Sequence, residues 1–212
     1  MKKLIISALA TCAAISVVAQ GTVTFVNNVT GVLRAPVYGP LGPNDTVSIV
    51  GNTPTGLPAG TADYGGRPLL AGSGYTAQLF AAPGAGQPES SLQPATPTTT
   101  FRTGAAAGFV AIVTATLQGV PKDAPVATLQ MRVWDNRGGT VTTWAQAEAL
   151  WLSGQLAAGK SPLFNVNAIG GDLNTPPNLV GLQSFNIYYI PEPGTLALLG
   201  LGALGLMIFR RK

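Results

Sequence analysis

The sequence predicts an all-β fold, an antiparallel β-sandwich of jelly-roll type with one short helix. Charged residues make up only 9% of the 212-residue chain, whereas Gly (27) and Pro (17) are abundant. Short stretches alternate between apolar and polar residues, as half-buried strands do, and turn-forming residues separate them. Only one stretch has the spacing of a packed helix. These three observations favour a body built from short strands and tight turns.

About eight short strands are expected in the body. Residues 108–117 and 126–134 are the best of them, and residues 118–125, with their prolines and charges, are typical of a hairpin loop between the two. Residues 83–100 are rich in Pro, Ser and Thr, which indicates an exposed loop or a disordered insert. The other predicted strands are residues 21–27, 46–50, 74–82, 163–167 and 182–190.

Residues 142–154, "TTWAQAEALWLSG", predict the single helix of the body. Thr143 and Gln146 have the spacing of a capping box, and Gly154 lies where a C′ glycine is expected. The apolar residues of this segment fall on one stripe, which we expect to cover one end of the sheets. The residues of the stripe are Trp144, Ala147 and Trp151.

The net charge of +4 does not indicate a nucleic-acid-binding protein. Lys2 and Lys3 open the chain, and residues 210–212 close it with three further cations. Residues 20–190 hold seven cations and seven anions, scattered along the sequence. Phosphate binding requires a clustered basic face, so the charge pattern argues against a nucleic-acid partner.

The first 19 residues predict a secretory signal peptide. Two lysines precede an apolar stretch at residues 4–18, and small residues precede a cleavage site between Ala19 and Gln20. Signal peptidase is therefore an expected processing enzyme, and the mature chain is expected to start at Gln20. A lipoprotein signal ending at Cys12 is the alternative, although Thr11 is unusual before such a cysteine.

Cys12 is the only cysteine, and the chain contains no histidine. Once the signal peptide is removed, the body at residues 20–189 has no thiol and no disulfide. This composition excludes Ser–His and Cys–His nucleophiles and also excludes metals bound through Cys or His. We therefore expect no cofactor.

The last 23 residues, "IPEPGTLALLGLGALGLMIFRRK", predict a membrane-directed tail. Residues 195–209 form an apolar run that as a helix would measure roughly 22 Å, somewhat short of the hydrocarbon core of about 30 Å. A helix apolar on all sides favours lipid over a protein core. Residues 210–212 are basic and should stay cytoplasmic, which places the body on the outer side of the inner membrane.

The residues before the apolar run are Pro191, Glu192 and Pro193. The two prolines hold the glutamate in extended backbone, the form in which proteases and transpeptidases bind their substrates. The proline motif, the apolar run and the basic end together resemble the PEP-CTERM sorting signal. The resemblance implies that an exosortase recognises the motif and removes the tail at residues 190–212, so that anchoring in the inner membrane is transient. A plain single-span anchor with coincidental prolines is the alternative.

The body resembles, more weakly, domains found upstream of such tails. The resemblance rests on short pieces such as "AGSGYTAQLF", "FRTG", "MRVWD" and "GKSPLF". It implies no activity, and it supports only the predicted fold.

Asp135 and Glu148 are the carboxylates best placed in sequence to act as a catalytic pair. Turn formation explains the "DNRGG" cluster at Asp135 equally well. The same turn, with Asn136, offers oxygen ligands for calcium, as does Asp172 with Asn174, although neither cluster has the ligand count of a known calcium loop. A structural turn is the favoured interpretation of both clusters, and no metal is predicted.

Trp134, Tyr188 and Tyr189 are candidates for stacking on a sugar ring. The two tyrosines are adjacent, so in a strand one of them should face outward. The favoured hypothesis is a secreted, non-enzymatic cell-surface or extracellular-matrix protein. The alternative is a carbohydrate-binding module that has extracellular polysaccharide as its partner. A glycan-active enzyme using Asp135 and Glu148 ranks third.

Overall fold

The computed structural model describes residues 19–191; the predicted signal helix and the predicted transmembrane helix both lie outside the described residues. Within this range the fold is mostly β-sheet with one α-helix, as the sequence predicts. The strands are β1 Gln20–Phe25, β2 Asn28–Val29, β3 Leu33–Arg34, β4 Val37–Tyr38, β5 Tyr75–Pro83, β6 Gln93–Pro94, β7 Thr99–Thr100, β8 Val113–Pro121, β9 Val126–Asp135, β10 Ala158–Lys160, β11 Phe164–Asn167 and β12 Phe185–Asn186, and the helix is α1 Trp144–Leu152.

A six-stranded antiparallel sheet forms the centre of the body. Its main path is β10-β9-β5-β6, and β11 and β7 add to β9 and β5. Strands β5 and β9 pair over their full length, from Tyr75 opposite Asp135 to Pro83 opposite Ala127. The predictions of strands at residues 74–82, 126–134 and 163–167 are confirmed.

Strand β8 does not pair with β9, so the predicted hairpin is wrong. It pairs with β1 in a separate two-stranded sheet instead. The connecting turn carries the chain from the β1–β8 sheet to the six-stranded sheet. Ala115 and Leu117 of β8 and Leu129 and Met131 of β9 are buried in the same core, although the two strands do not pair.

The main core lies between these two layers and buries large side chains from both. Phe25, Leu79, Leu129, Ile169 and Phe185 are all fully buried there. Burial of each such side chain contributes about 1.5–3 kcal/mol relative to its exposure to water. The smaller pairs complete the fold, namely antiparallel β2–β3 and parallel β4–β12.

Helix α1 covers the outer face of the six-stranded sheet rather than one end of the sheets. Its capping box is present as predicted, with Thr143 accepting from the backbone N–H of Gln146, and Gly154 has a positive φ of 75° just beyond the helix. Trp144, Ala147 and Trp151 pack on Phe80 and Trp134 in a second hydrophobic cluster, called here the helix cluster. Both faces of β9 are therefore buried.

Two predictions in irregular parts of the chain are wrong. Residues 46–50 form no strand beyond one isolated bridge, because Asn186 bonds their backbone through its side chain, at Val47 O and Ile49 N. Residues 83–100 are not a disordered insert, since they contain β6, β7 and a short 3-10 helix at Glu89–Ser91. Leu92 and Ala95 of this segment are buried.

Candidate functional site

The predicted catalytic pair is not assembled. Along β9, Val133 lies in the main core and Trp134 in the helix cluster, so alternation places Asp135 on the main-core side. Glu148 lies on α1, which covers the opposite face of the sheet. Asp135 accepts a hydrogen bond from the backbone N–H of Arg137 at 2.8 Å, as the turn interpretation predicts.

The candidate calcium ligands are engaged in holding backbone. Buried Asn136 donates to the Ser73 carbonyl and to the Thr76 hydroxyl, and it accepts from Gly139 N–H. Asp172 is exposed and pairs with Lys122 at 2.7 Å. Among the described residues there is no group of three or more Asp, Glu, His or Cys side chains that could hold a metal ion.

The loop around Asp172 is organised by a carboxylate that no sequence motif singles out. Asp123 accepts hydrogen bonds from the backbone N–H groups of Asp172, Leu173 and Asn174 at 2.8–3.1 Å. The hydrogen bonds from these three N–H groups hold the pKa of Asp123 below its ordinary value, and the one from Asn174 has the largest effect. The loop presents Leu173, which is 89% exposed.

The aromatic candidates lie in packed positions. Trp134 is fully buried, and its Nε1 donates to the Val141 carbonyl at 2.9 Å, so it offers no surface for a ligand. Tyr188 packs on the helix cluster, whereas Tyr189 packs on the main core. Both tyrosine side chains are half-buried, so each keeps part of its surface exposed. Ligand binding by either tyrosine stays a prediction.

Four charged side chains meet on the outer face of the six-stranded sheet and form what we call the ion cluster. Lys160 Nζ lies 2.6 Å from Glu89 Oε1 and 3.0 Å from Glu148 Oε1. The Arg132 guanidinium lies 3.4 Å from Glu89 and 3.9 Å from the centroid of the Phe80 ring. These contacts join α1, β9, β10 and the 3-10 helix at Glu89–Ser91.

The electrostatics of the ion cluster reflect burial opposed by pairing. Burial of Arg132 lowers the pKa of its guanidinium, and the charges of Glu89 and Glu148 oppose this effect. Burial tends to raise the pKa of Glu89, but hydrogen bonds from Lys160 and Gln130 outweigh it and hold that pKa below its ordinary value. Pairing therefore favours the charged form of Glu89.

An apolar pocket of about 270 Å³ lies beside the ion cluster, where the N-terminus of α1 meets the sheet. We call it the Phe80 pocket. Phe80 and Trp144 line it, and Trp144 Nε1 is buried without a hydrogen-bond partner among the described residues. The remaining lining residues are Gln78, Pro94, Thr142, Thr143 and Ala145.

The ion cluster and the Phe80 pocket were not predicted from the sequence. Glu89 and Lys160 are 71 residues apart, and Glu89 belongs to the segment that the sequence assigned to a loop. One signal was present. Arg132 stands alone among apolar neighbours in the predicted strand 126–134, and a cation in such a strand requires a partner.

The described part of the chain begins and ends near opposite ends of β9. The Ala19 carbonyl accepts from the backbone N–H of Lys122, in the turn before β9 begins. At the other end Tyr188 pairs with Ala158, which lies opposite Trp134 near the end of β9. The eight-residue step from Val126 to Trp134 corresponds to about 27 Å of strand. Gln20, the predicted mature start, is the first residue of β1.

Residues 188–190, called here the exit segment, directly precede the predicted sorting motif. Tyr188 exchanges two backbone hydrogen bonds with Ala158, at 3.0 and 3.2 Å, and Trp151 Nε1 donates to its carbonyl at 2.9 Å. Tyr189 N–H donates to the Asp45 carbonyl at 2.8 Å. Pro191 is exposed.

Comparison with known protein families identifies the tail. Residues 190–212 match the PEP-CTERM protein-sorting motif, as the sequence analysis predicts. The chain therefore falls in the class of proteins that carry this sorting signal. The signal implies processing by an exosortase and export to the cell envelope or surface. No curated protein and no solved structure matches the chain.

Within residues 19–191, none of the helices is both long enough and apolar enough to cross a membrane. The predicted span at residues 195–209 and the motif residues Glu192 and Pro193 lie outside the described residues.

Proposed function

We propose that this chain is a secreted, non-enzymatic cell-surface or extracellular-matrix protein whose working part is a sandwich of the jelly-roll kind. Signal peptidase releases it at Gln20, and the apolar tail holds it transiently in the inner membrane until an exosortase acts. The matched sorting signal supports the route. The contacts that the carboxylates make within the body support the non-enzymatic role.

Each of the seven carboxylates in the described residues is engaged by a hydrogen bond or an ion pair within the body, and this is the observation that carries the proposal. Asp63 and Asp135 accept from backbone N–H groups two residues ahead, and Asp123 accepts from three such groups. The others are paired with cations, as Asp45–Arg67, Glu89–Lys160, Glu148–Lys160 and Asp172–Lys122.

Glycan hydrolysis by general acid catalysis needs a carboxyl group whose pKa is raised, beside a second carboxylate. The pKa values of Glu89 and Asp123 lie below their ordinary values, which is the opposite direction. Asp135 and Glu148 lie on opposite faces of a sheet and cannot flank one glycosidic bond.

The test of this proposal combines fractionation with an activity assay. In the native host the mature protein should start at Gln20, lack the tail, and accumulate in the envelope or matrix fraction by mass spectrometry. Asp135→Asn and Glu148→Gln variants should accumulate there equally. Release of reducing ends from the host's own surface polysaccharide, abolished by Glu148→Gln in a chain that still folds, would overturn the non-enzymatic role.

A carbohydrate-binding role is the second candidate, and the Phe80 pocket favours it. Two aromatic rings line a cavity of about 270 Å³, close to the lower limit of ordinary ligand pockets and suited to a single sugar ring. Gln78, Thr142 and Thr143 supply polar groups at its wall, and an aromatic wall with a few polar groups is typical of sugar sites.

Two exposed alanines of α1 provide a matched test of this second role. Ala145 lines the pocket, whereas Ala149 lies one turn further along the helix and does not. Ala145→Met should fill the pocket and abolish retardation of the protein in gels containing the host's surface polysaccharide. Ala149→Met should leave retardation unchanged. Equal retardation of both variants and the parent would remove the pocket as the binding site.

A further inference from the structure

The sorting motif follows the packed body without a linker. Ile190, where the family match begins, packs against the helix cluster. Glu192, the central residue of the motif, is two residues further on. The first residue of the motif, Pro191, directly follows Ile190 in the chain. An enzyme that binds the motif must therefore work directly against the surface of the body.

The backbone just before the motif is already occupied. Both backbone polar groups of Tyr188 bond to Ala158, and its carbonyl also accepts from Trp151. The Tyr188 ring packs edge-on against the Trp151 ring, with centroids 5.2 Å apart. Tyr189 N–H is held by Asp45, whose carboxylate is in turn paired with Arg67 at 2.7 Å.

An enzyme that receives an extended peptide binds it largely through main-chain hydrogen bonds to residues on both sides of the reacting bond. On the body side of the motif, those groups belong to residues 188–190. They cannot bond to Ala158 and Asp45 and to an enzyme cleft at the same time. Local detachment of a terminal segment is an ordinary low-energy opening, and the fraction detached scales the rate of anything that requires it.

We infer that exosortase acts on this chain only when residues 188–190 have detached from the body, so that Trp151 and Ala158 set the rate of processing. The inference rests on processing of the tail by an exosortase. Folding of the body and removal of the tail then compete for one segment, and chains with a weakened contact are processed faster. Trp151 acts here as a positioning residue, since it contacts the segment and not the motif.

Trp151→Phe and Trp134→Phe form a matched pair for the first test. Both indoles are buried in the helix cluster and each donates one hydrogen bond, but only Trp151 Nε1 donates to the exit segment. Loss of one such hydrogen bond should raise the detached fraction, and with it the processing rate, about fivefold. Pulse-chase conversion of full-length to shortened chain in the native host measures the rate, and Trp134→Phe should leave it unchanged.

A disulfide between positions 158 and 188 should prevent detachment and so block processing. Tyr188 and Ala158 exchange both backbone hydrogen bonds, and such antiparallel pairs have Cα atoms about 5.5 Å apart, within disulfide range. With both replaced by Cys, the chain should stay unprocessed under oxidising conditions and be processed after reduction. The single variants Ala158→Cys and Tyr188→Cys should be processed at or above the parent rate.

A linker variant distinguishes failure of this inference from failure of the exosortase processing on which it rests. Eight Gly and Ser residues inserted between Ile190 and Pro191 should make processing insensitive to Trp151→Phe, because the cleft then binds the linker. Processing at one rate in all variants, the oxidised disulfide chain included, would overturn the inference and leave sorting intact. If neither the parent nor the linker variant is shortened, the exosortase route itself is wrong.

Discussion

The six-stranded sheet and the irregular segment at residues 39–72 are held by different forces. Strands β5 and β9 pair residue for residue and bury apolar side chains on both faces. Residues 39–72 contain no named strand, and their backbone is held by side chains instead. Asp45 pairs with Arg67 through two hydrogen bonds of 2.7 and 2.9 Å, and both side chains are 6% exposed. One region depends on hydrophobic burial, the other on a few completed polar contacts.

Buried asparagine side chains strengthen this contrast. Asn52 accepts from Ser184 N–H and donates to the Pro58 carbonyl, so it joins the irregular segment to the last part of the chain. Asn186 bonds in the same way to Val47 and Ile49. An amide side chain offers a donor and an acceptor, as a backbone peptide does, and takes the place of a neighbouring strand. Polar side chains therefore supply the order that sheet pairing supplies elsewhere.

The largest expected effect comes from breaking the buried ion pair of the irregular segment. Arg67→Met leaves the Asp45 carboxylate buried without its cation, which should lower the free energy of unfolding by about 3–5 kcal/mol in urea titrations. The exposed pair Lys122–Asp172 provides the control, and Lys122→Met should change the free energy of unfolding far less, because water screens that pair. Equal losses in the two variants would show that the buried pair does not hold the segment.

Leu129→Ala should destabilise the sheet by about 3 kcal/mol, since Leu129 is fully buried and its loss leaves a cavity between the layers. Hydrogen exchange distinguishes the sheet from the irregular segment more directly than the free energy of unfolding does. Leu129→Ala should speed the exchange of β5 and β9 amides, whereas Arg67→Met should speed that of residues 39–72 first. Simultaneous loss of protection in both regions from either variant would mean that they unfold as one unit.

Acid should weaken the irregular segment without first breaking the sheet. Burial raises the pKa of Asp45, but hydrogen bonds from Arg67, Leu41 N–H and Val47 N–H outweigh it, so the folded-state pKa lies below the ordinary value of 3.8. A carboxylate with a lowered pKa stabilises the fold above its unfolded-state pKa, and this stabilisation is lost as pH falls through the folded-state value.

Stability should therefore be level between pH 7 and about pH 5 and should fall below the unfolded-state pKa. The loss should be smaller than that caused by Arg67→Met, and urea titrations at stepwise lower pH measure it. Asp45→Asn should flatten this acid dependence. If Asp45→Asn loses as much stability in acid as the parent, the loss belongs to another carboxylate. Glu89 is then a candidate, because its pKa is also lowered.

The regular region was predictable from sequence, whereas most of the irregular one was not. Alternation identified β1, β5, β9 and β11, because these strands bury every second residue in one core. Alternation indicates which residues enter a core, but it does not indicate which strands pair with each other. For this reason β8 and β9 were wrongly joined as a hairpin. Residues 46–50 alternate as well, but Asn186, far away in sequence, takes their backbone hydrogen bonds.

The same distinction explains which parts of the candidate site were found. The Pro-Glu-Pro motif is linear, so its signal is complete within residues 190–212. The ion cluster joins Glu89 to Lys160 across 71 residues, and only the fold brings them together. The exit segment became visible in the same way, because Trp151, Asp45 and Ala158 meet residues 188–190 only in three dimensions.

The smallest expected effect concerns the helix cap, which the sequence predicted and the structure contains. Thr143→Ala removes the acceptor for Gln146 N–H and should lower the free energy of unfolding by about 1 kcal/mol. The loss should be confined to α1, since the main core lies on the other side of the sheet. Hydrogen exchange should therefore show faster exchange in α1, with β5 and β9 unchanged. Trp151 lies on α1 and contacts the exit segment. Spread of the faster exchange to residues 188–190 in this variant would therefore show that the helix holds that segment in place.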